Sequence, residues 1–305
     1  MHNYNIFWWI TFFFVYCFLG WCIESTIVSI KSKKLVNRGF LKIPFLPIYG
    51  TGAIIILFVC LPFKENILMV YLAGMISATI LEYVVGYGME AIFKMKYWDY
   101  SNDKFNYKGR ICLVSSLFWG MLAVLLVEFV HKYIEITIFS INENVLKSLV
   151  TFIFIIVIID TIVSTREAID LNKVLKNMSL LRKEMENIKL EIEEILKIGY
   201  EDFSEIKVRG SLEAKELLSA TKEKIEMLKE KLSDIAEIRK EEISKINTVK
   251  TRLIKNNPTV YSPQFNDALK EIKDRLLNKY EEKKNDFIER IGEFQRKIEE
   301  FIKEL

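Results

Sequence analysis

Glu24, Glu82 and Glu90 are carboxylates set inside long apolar runs of this 305-residue chain. A carboxylate in hydrocarbon costs about 3 kcal/mol on insertion scales, so it persists where it faces a bundle interior and meets a cation, a donor or water. Two loop arginines, Arg38 and Arg110, are the natural partners, because the planar guanidinium matches a carboxylate. Asn37 and Asn106 add neutral donors and acceptors, while Gly39 and Gly109 permit turns that a side chain would hinder. Such a set can bind a polar head group, an ion or a proton. It can also serve only as a lock that fixes loops beneath the bundle.

The set occurs twice. Gly20-Trp21-Cys22-Ile23-Glu24 is echoed by Gly86-Tyr87-Gly88-Met89-Glu90. Asn37-Arg38-Gly39, Pro47 and Tyr49-Gly50 are echoed by Asn106, Gly109-Arg110 and Phe118-Trp119-Gly120. Gly39 and Gly50 are eleven residues apart, as are Gly109 and Gly120. Gly74, Ala78, Glu82, Gly86 and Glu90 recur every fourth residue, which makes one ridge of a helix. Small residues on a ridge let helices approach closely, and polar ones bond across the contact. In the second copy, Trp98-Asp99-Tyr100-Ser101 is denser in aromatics than an interfacial belt needs, and Asp99 can fix a turn through its own backbone. Trp98, Asp99 and Tyr100 join Tyr49 as candidate lining residues. Glu128 and Asp160 read as interfacial.

Helices of about twenty apolar residues must position these groups, since that length crosses a hydrocarbon core of about 30 Å. Five runs qualify, at about 5–30, 46–63, 67–93, 111–131 and 146–165. The first is too long for a cleavable signal peptide and lacks a basic leader. Lys31, Lys33, Lys34, Arg38 and Lys42 follow run one, and Lys94, Lys96, Lys104, Lys108 and Arg110 follow run three. The other connections are poor in Lys and Arg, so the charge rule places the N-terminus outside and both motifs and the tail in the cytoplasm. Both copies then share one topology, a parallel repeat about an axis along the membrane normal. The expected fold is all-α: a five-span membrane bundle over 1–165, made of two hairpin repeats and one further helix, then a cytoplasmic coiled-coil-like tail over 166–305.

The tail's apolar residues step by three and four. Leu171, Leu175, Met178, Leu181, Met185, Ile188, Ile192 and Ile195 form one seam. Gly199 and Arg209-Gly210-Ser211 interrupt it, a break near 199–211. A second seam runs from Ile225 through Ile246 and Leu253 to a break near 256–263 at Pro258 and Pro263. A third helix is expected from Pro263, with a seam from Phe265 to Leu305. Antiparallel returns or self-association would both bury these stripes, and a protein partner is a further occupant.

Several classes are disfavoured. The net charge is only +3 and its excess sits in loops, which is not a nucleic-acid footprint. Cys17, Cys22, Cys60 and Cys112 form no CxxC pair, and with only His2 and His131 a zinc site is not indicated. No metal or cofactor is expected. No G-x-x-x-x-G-K-[ST] loop occurs, so this chain is not an ATPase.

Gly20-Trp21 with Glu24, Asn37-Arg38-Gly39-Phe40-Leu41, Pro47-Ile48-Tyr49-Gly50, Glu82, Glu90, Trp98-Asp99-Tyr100-Ser101, Asn106 and Gly109-Arg110 together resemble a bacterial family, the CmpB-like "type IV" ABC-transporter permeases. The resemblance covers about residues 5–165 and leaves the tail uncovered. It implies the membrane half of a transporter in the cell membrane, with any ATPase supplied by another chain. Two other functions stay open. One is a membrane enzyme on a lipid or isoprenoid phosphate, with Arg38 and Arg110 on the phosphate and a carboxylate as base. The other is an anchor or sensor that works through the tail.

Overall fold

The computed structural model describes residues 4–206, 212–244, 246 and 248–276; Arg209-Gly210-Ser211 and the expected seam from Tyr280 onward lie outside the described residues. Helix α1 (Ile6–Ser32) begins where the Asn5 side chain accepts the Trp8 N–H at 3.1 Å. It ends at Lys33, which takes the left-handed conformation. Helix α2 (Pro47–Cys60) starts on its own proline, which lacks an N–H that would be orphaned there, and continues as a tight turn, Leu61–Phe63. Helix α3 (Ile67–Phe93) is capped by Asn66 and closed by a left-handed Lys94.

A hairpin of two-residue strands, β1 (Asn106–Tyr107) and β2 (Ile111–Cys112), precedes α4 (Leu113–Val124). The all-α expectation is corrected to that small extent: Lys108 and Gly109 both adopt positive φ and turn the chain back on itself. From α4 the rod widens into a π-helical turn, Leu125–Val130, and continues as α5 (His131–Phe139). Lys132 and Glu135, which lie beyond the fourth expected run, therefore sit on a helix. Helix α6 (Glu143–Ile206) runs through Gly199 without interruption.

Among the described residues four helical stretches are long and apolar enough to cross a membrane: Ile6–Ser32, Ile67–Phe93, Leu113–Phe139 and Glu143–Ile195. The fifth expected run is a shorter apolar helix, Pro47–Phe63. Ile76, Ile80, Phe129, Phe152, Ile155 and Ile159 are exposed on these rods, as lipid-facing side chains would be.

Two compact units divide the chain: Met1–Asn172 with Thr248–Gln264, and Lys173–Asn247 with Phe265–Leu305. In the first, α1 packs on α2 and α3 on α4, with α2 against α3. Phe12, Leu57, Cys60, Val70 and Ala123 are wholly buried between them. The two basic loops meet at one end, where Phe40 packs on Phe93 and Tyr97. Asp160 of α6 joins that end, buried, and accepts the N–H groups of Lys42 at 2.8 Å and Ile43 at 3.0 Å. Helix α8 (Thr248–Asn256) belongs to this unit too.

In the second unit the latter part of α6 runs antiparallel to α7 (Leu212–Ser244). Asn177 reaches Glu242 and Glu191 reaches Lys224, so position rises on one helix as it falls on the other. Met185, Ile188 and Ile192 bury against Ile225, Leu228 and Ile235. Helix α9 (Asn266–Leu276) attaches through Glu271, which accepts from Arg239 at 2.5 Å. It begins three residues after Pro263, because residues 263–265 form a turn ahead of the helix.

Candidate functional site

Each loop arginine returns to a carboxylate on the helix that precedes its loop. Glu90 lies in the last turn of α3, and Arg110 closes the β1–β2 turn. Arg110 holds Glu90 Oε2 through Nε at 3.0 Å and a terminal nitrogen at 2.9 Å. Its guanidinium also lies over the rings of Tyr83 and Tyr87. Glu24, on α1, accepts the Tyr49 hydroxyl at 2.7 Å, and its other oxygen is 3.8 Å from Arg38 Nε. Arg38 donates instead to Asn257 at 2.8 Å and to the Tyr97 carbonyl at 3.2 Å. Burial lowers the Arg38 pKa from its ordinary value, and the nearby Glu24 carboxylate opposes that.

The neutral groups shape the loops. Asn37 accepts from the Trp21 indole at 2.6 Å and donates to the Lys42 carbonyl. Asn106 accepts the Gly109 N–H at 3.1 Å and donates to the Ser101 and Asp103 carbonyls. Asp99 accepts the Ser101 hydroxyl at 2.6 Å and its N–H at 3.2 Å, an Asx turn. Trp98 donates to the Arg110 carbonyl at 2.9 Å and covers Gly86. A Cβ on Gly109 would strike Asp99 and Ser101, and its φ of 68° already disfavours a side chain.

Glu82 is brought deeper. Two turns before Glu90 on α3, it is 5% exposed and accepts from Tyr100 at 2.9 Å, Trp119 at 3.1 Å and Ser115 at 3.2 Å. Tyr100 thus reaches from its loop into the bundle, and burial raises its pKa. Tyr49 and Trp119, the aromatic members of the two glycine pairs, meet edge to face at 6.0 Å between centroids. Gly20 and Gly50 allow α1 and α2 to approach, since a Cβ on Gly20 would overlap Tyr49 and one on Gly50 would overlap Cys17. A cavity of about 160 Å³ opens beside this contact, with Tyr16, Tyr49, Glu82 and Trp119 in an otherwise apolar wall.

A family profile described as "Putative ABC-transporter type IV" matches residues 11–165. The chain belongs to this family. It is a multi-pass membrane protein of that ABC-transporter-like family, and the matched region contains every candidate residue from Gly20 to Gly120. No match was found among curated proteins or among solved structures.

Two groups of residues escape sequence reasoning. The first lies in the tail, beyond the region matched by the type IV family. Arg252 donates to the carbonyls of Phe40 and Leu41, to Ser164 and to Glu167. Asn257 joins Arg38 to the Gly39 carbonyl, Thr259 donates to Tyr97, Tyr261 bridges Lys96, and Ser262 donates to the Lys94 carbonyl. Residues 248–264 thus form a strap beneath both basic loops. The break around Pro258 was its visible trace, read only as a helix terminator. The second group is at the opposite end of the bundle. His131 is 3% exposed, with Tyr16 at 2.8 Å from Nδ1 and Tyr4 at 3.1 Å from Nε2. Tyr4 also donates to Glu135 at 2.8 Å. Tyr4 and Tyr16 lie more than a hundred residues from His131 and Glu135, so no local spacing joins the two pairs.

Proposed function

We propose that the chain is the membrane-spanning component of a transporter, built from two parallel hairpin repeats with a polar site at the cytoplasmic ends of α1 and α3. One observation carries this reading: each hairpin closes its own carboxylate–arginine set, Glu24 with Arg38 and Glu90 with Arg110, while Tyr49 and Trp119 meet between the hairpins. In this reading the short α2 is the fifth span, its seventeen apolar residues from Pro47 to Phe63 sitting at the lower length limit for a crossing helix. Loop charge supports a cytoplasmic location for both basic loops and the tail. Lacking a phosphate-binding loop, the chain would take its energy from a separate ATPase.

The test is purification with native partners, followed by flux. A nucleotide-hydrolysing subunit is expected to co-purify, and transport by the reconstituted assembly should fall when Glu24, Glu82 or Glu90 becomes Gln. Unchanged flux in all three inserted variants would overturn the proposal. A lipid-phosphate enzyme has less behind it, because Arg110 is occupied by Glu90, and Arg38 by Asn257, Tyr97 and Glu24, leaving no open phosphate clamp there.

The strap favours a second reading, in which the tail acts on the membrane unit as a sensor. Asn257 and Thr259 touch the same groups, Arg38 and Tyr97, that close the first copy's site. Full activity from residues 1–165 alone would exclude it.

A further inference from the structure

We propose that the intramembrane cavity binds a small organic cation, an ammonium group carrying an apolar substituent about the size of a benzene ring. The proposal rests on the transport reading for its physiological meaning and on local chemistry for its content. Glu82 supplies a buried carboxylate in the cavity wall, and its three bonded donors, Tyr100, Ser115 and Trp119, are all neutral. None of the described residues lining the cavity is basic. A carboxylate has about four acceptor positions, so at least one remains for a ligand donor. The Ser115 hydroxyl, moreover, has one proton to share between Glu82 and the Cys112 carbonyl at 3.0 Å.

The remainder of the wall matches the same ligand class. Tyr16, Tyr49 and Trp119 contribute aromatic rings, which attract a desolvated cation by about 2 kcal/mol or more. Apolar residues such as Ile56 and Ala78 would accept the substituent. Size sets the scale: an engineered protein cavity of about 150 Å³ binds benzene, and this one is about 160 Å³. An inorganic cation would leave most of the apolar wall unused, and a neutral apolar molecule would leave the carboxylate uncompensated.

Calorimetric titration of the purified full chain with benzylammonium and with benzyl alcohol, its neutral near-isostere, tests this. Benzylammonium is expected to bind at least about tenfold tighter, and Glu82→Gln should erase the difference while leaving benzyl alcohol binding in place. Gly52→Val narrows the cavity from a position where an added Cβ makes only ordinary contact with Leu81 at 3.5 Å, and should weaken both probes. Equal affinity of the two probes for the native chain would overturn the proposal and point to a protonated Glu82. A preference that survives Glu82→Gln would overturn it as well. Should Glu82→Gln fail to yield folded protein, Gly52→Val decides, with unchanged benzylammonium binding as the contrary result. Binding is read without flux, so failure here is separable from failure of the transport reading.

Discussion

The two basic loops carry the same residue types but hold them by different means. From Asp99 onward the loop after α3 is built from itself, although its first residues, Lys94, Lys96 and Tyr97, meet the strap: Asp99 turns onto Ser101, Asn106 closes on Gly109, β1 pairs with β2, and Arg110 reaches Glu90 twenty residues back. The loop after α1 borrows its supports. Arg38 bonds Asn257, 219 residues away, and the amides of Lys42 and Ile43 rest on Asp160 of α6. Its own carboxylate, Glu24, is 3.8 Å from the guanidinium, against 2.9 Å for Glu90 and Arg110. The lesson is that equal motifs need not be equally autonomous. The second loop keeps its arginine without the tail, whereas the first is completed by the strap.

The largest expected effect of breaking this contrast is at the tight pair. Arg110→Ala leaves Glu90, mostly buried, without its cation, and should destabilise the membrane unit by about 3 kcal/mol. Denaturant unfolding in detergent measures it, and Glu90→Gln with Arg110→Ala should cost less than the two single changes summed. Additive costs would mean the pair is not coupled.

Releasing the strap should come next. Arg252 donates to two backbone carbonyls, Ser164 and Glu167, and Arg252→Ala removes all of these at once, a loss of about 2 kcal/mol in docking. Hydrogen exchange is expected to rise at residues 37–43 and 248–264 and to stay unchanged at 99–112. Equal loosening of both loops would erase the difference in autonomy.

A smaller effect isolates one support of the first loop. Asp160→Asn keeps size but removes the charge that accepts the Lys42 and Ile43 amides, worth about 1 kcal/mol. Faster exchange confined to those two amides would confirm that Asp160 anchors the loop, and no change would sink that role.

How much of this was legible in the sequence follows the same divide. Apolar run length announces α1, α3 and the rods beyond, because it depends only on residues close together in the chain. Glu24, Glu90, Arg38 and Arg110 were recognisable as partners, since an isolated charge in an apolar run needs an opposite one. The turn at Asp99 was also readable, being a bond between a side chain and its own backbone. Tertiary contact alone reveals the rest. Nothing near His131 in the chain points to Tyr4 and Tyr16, and nothing near Asn257 points to Arg38. The hairpin at Lys108-Gly109 was missed because two-residue strands leave no alternating pattern to read.

The smallest effect is the most discriminating. Thr259 donates its hydroxyl to the Tyr97 carbonyl, which also accepts from Arg38. Thr259→Val keeps the shape and loses one neutral bond, worth about 1 kcal/mol or less. In the native chain that carbonyl is shared, so Arg38 should compensate and the measured cost should lie well below the cost of the same change in an Arg38→Ala background. A thermodynamic cycle on these two positions reads the sharing directly. Coupling between them would show that the strap and the first copy's arginine act on one acceptor, so the borrowed support is a single network. Independence would mean that Thr259 and Arg38 hold the carbonyl separately, and the strap's support of the first loop would then rest on Asn257 and Arg252 instead.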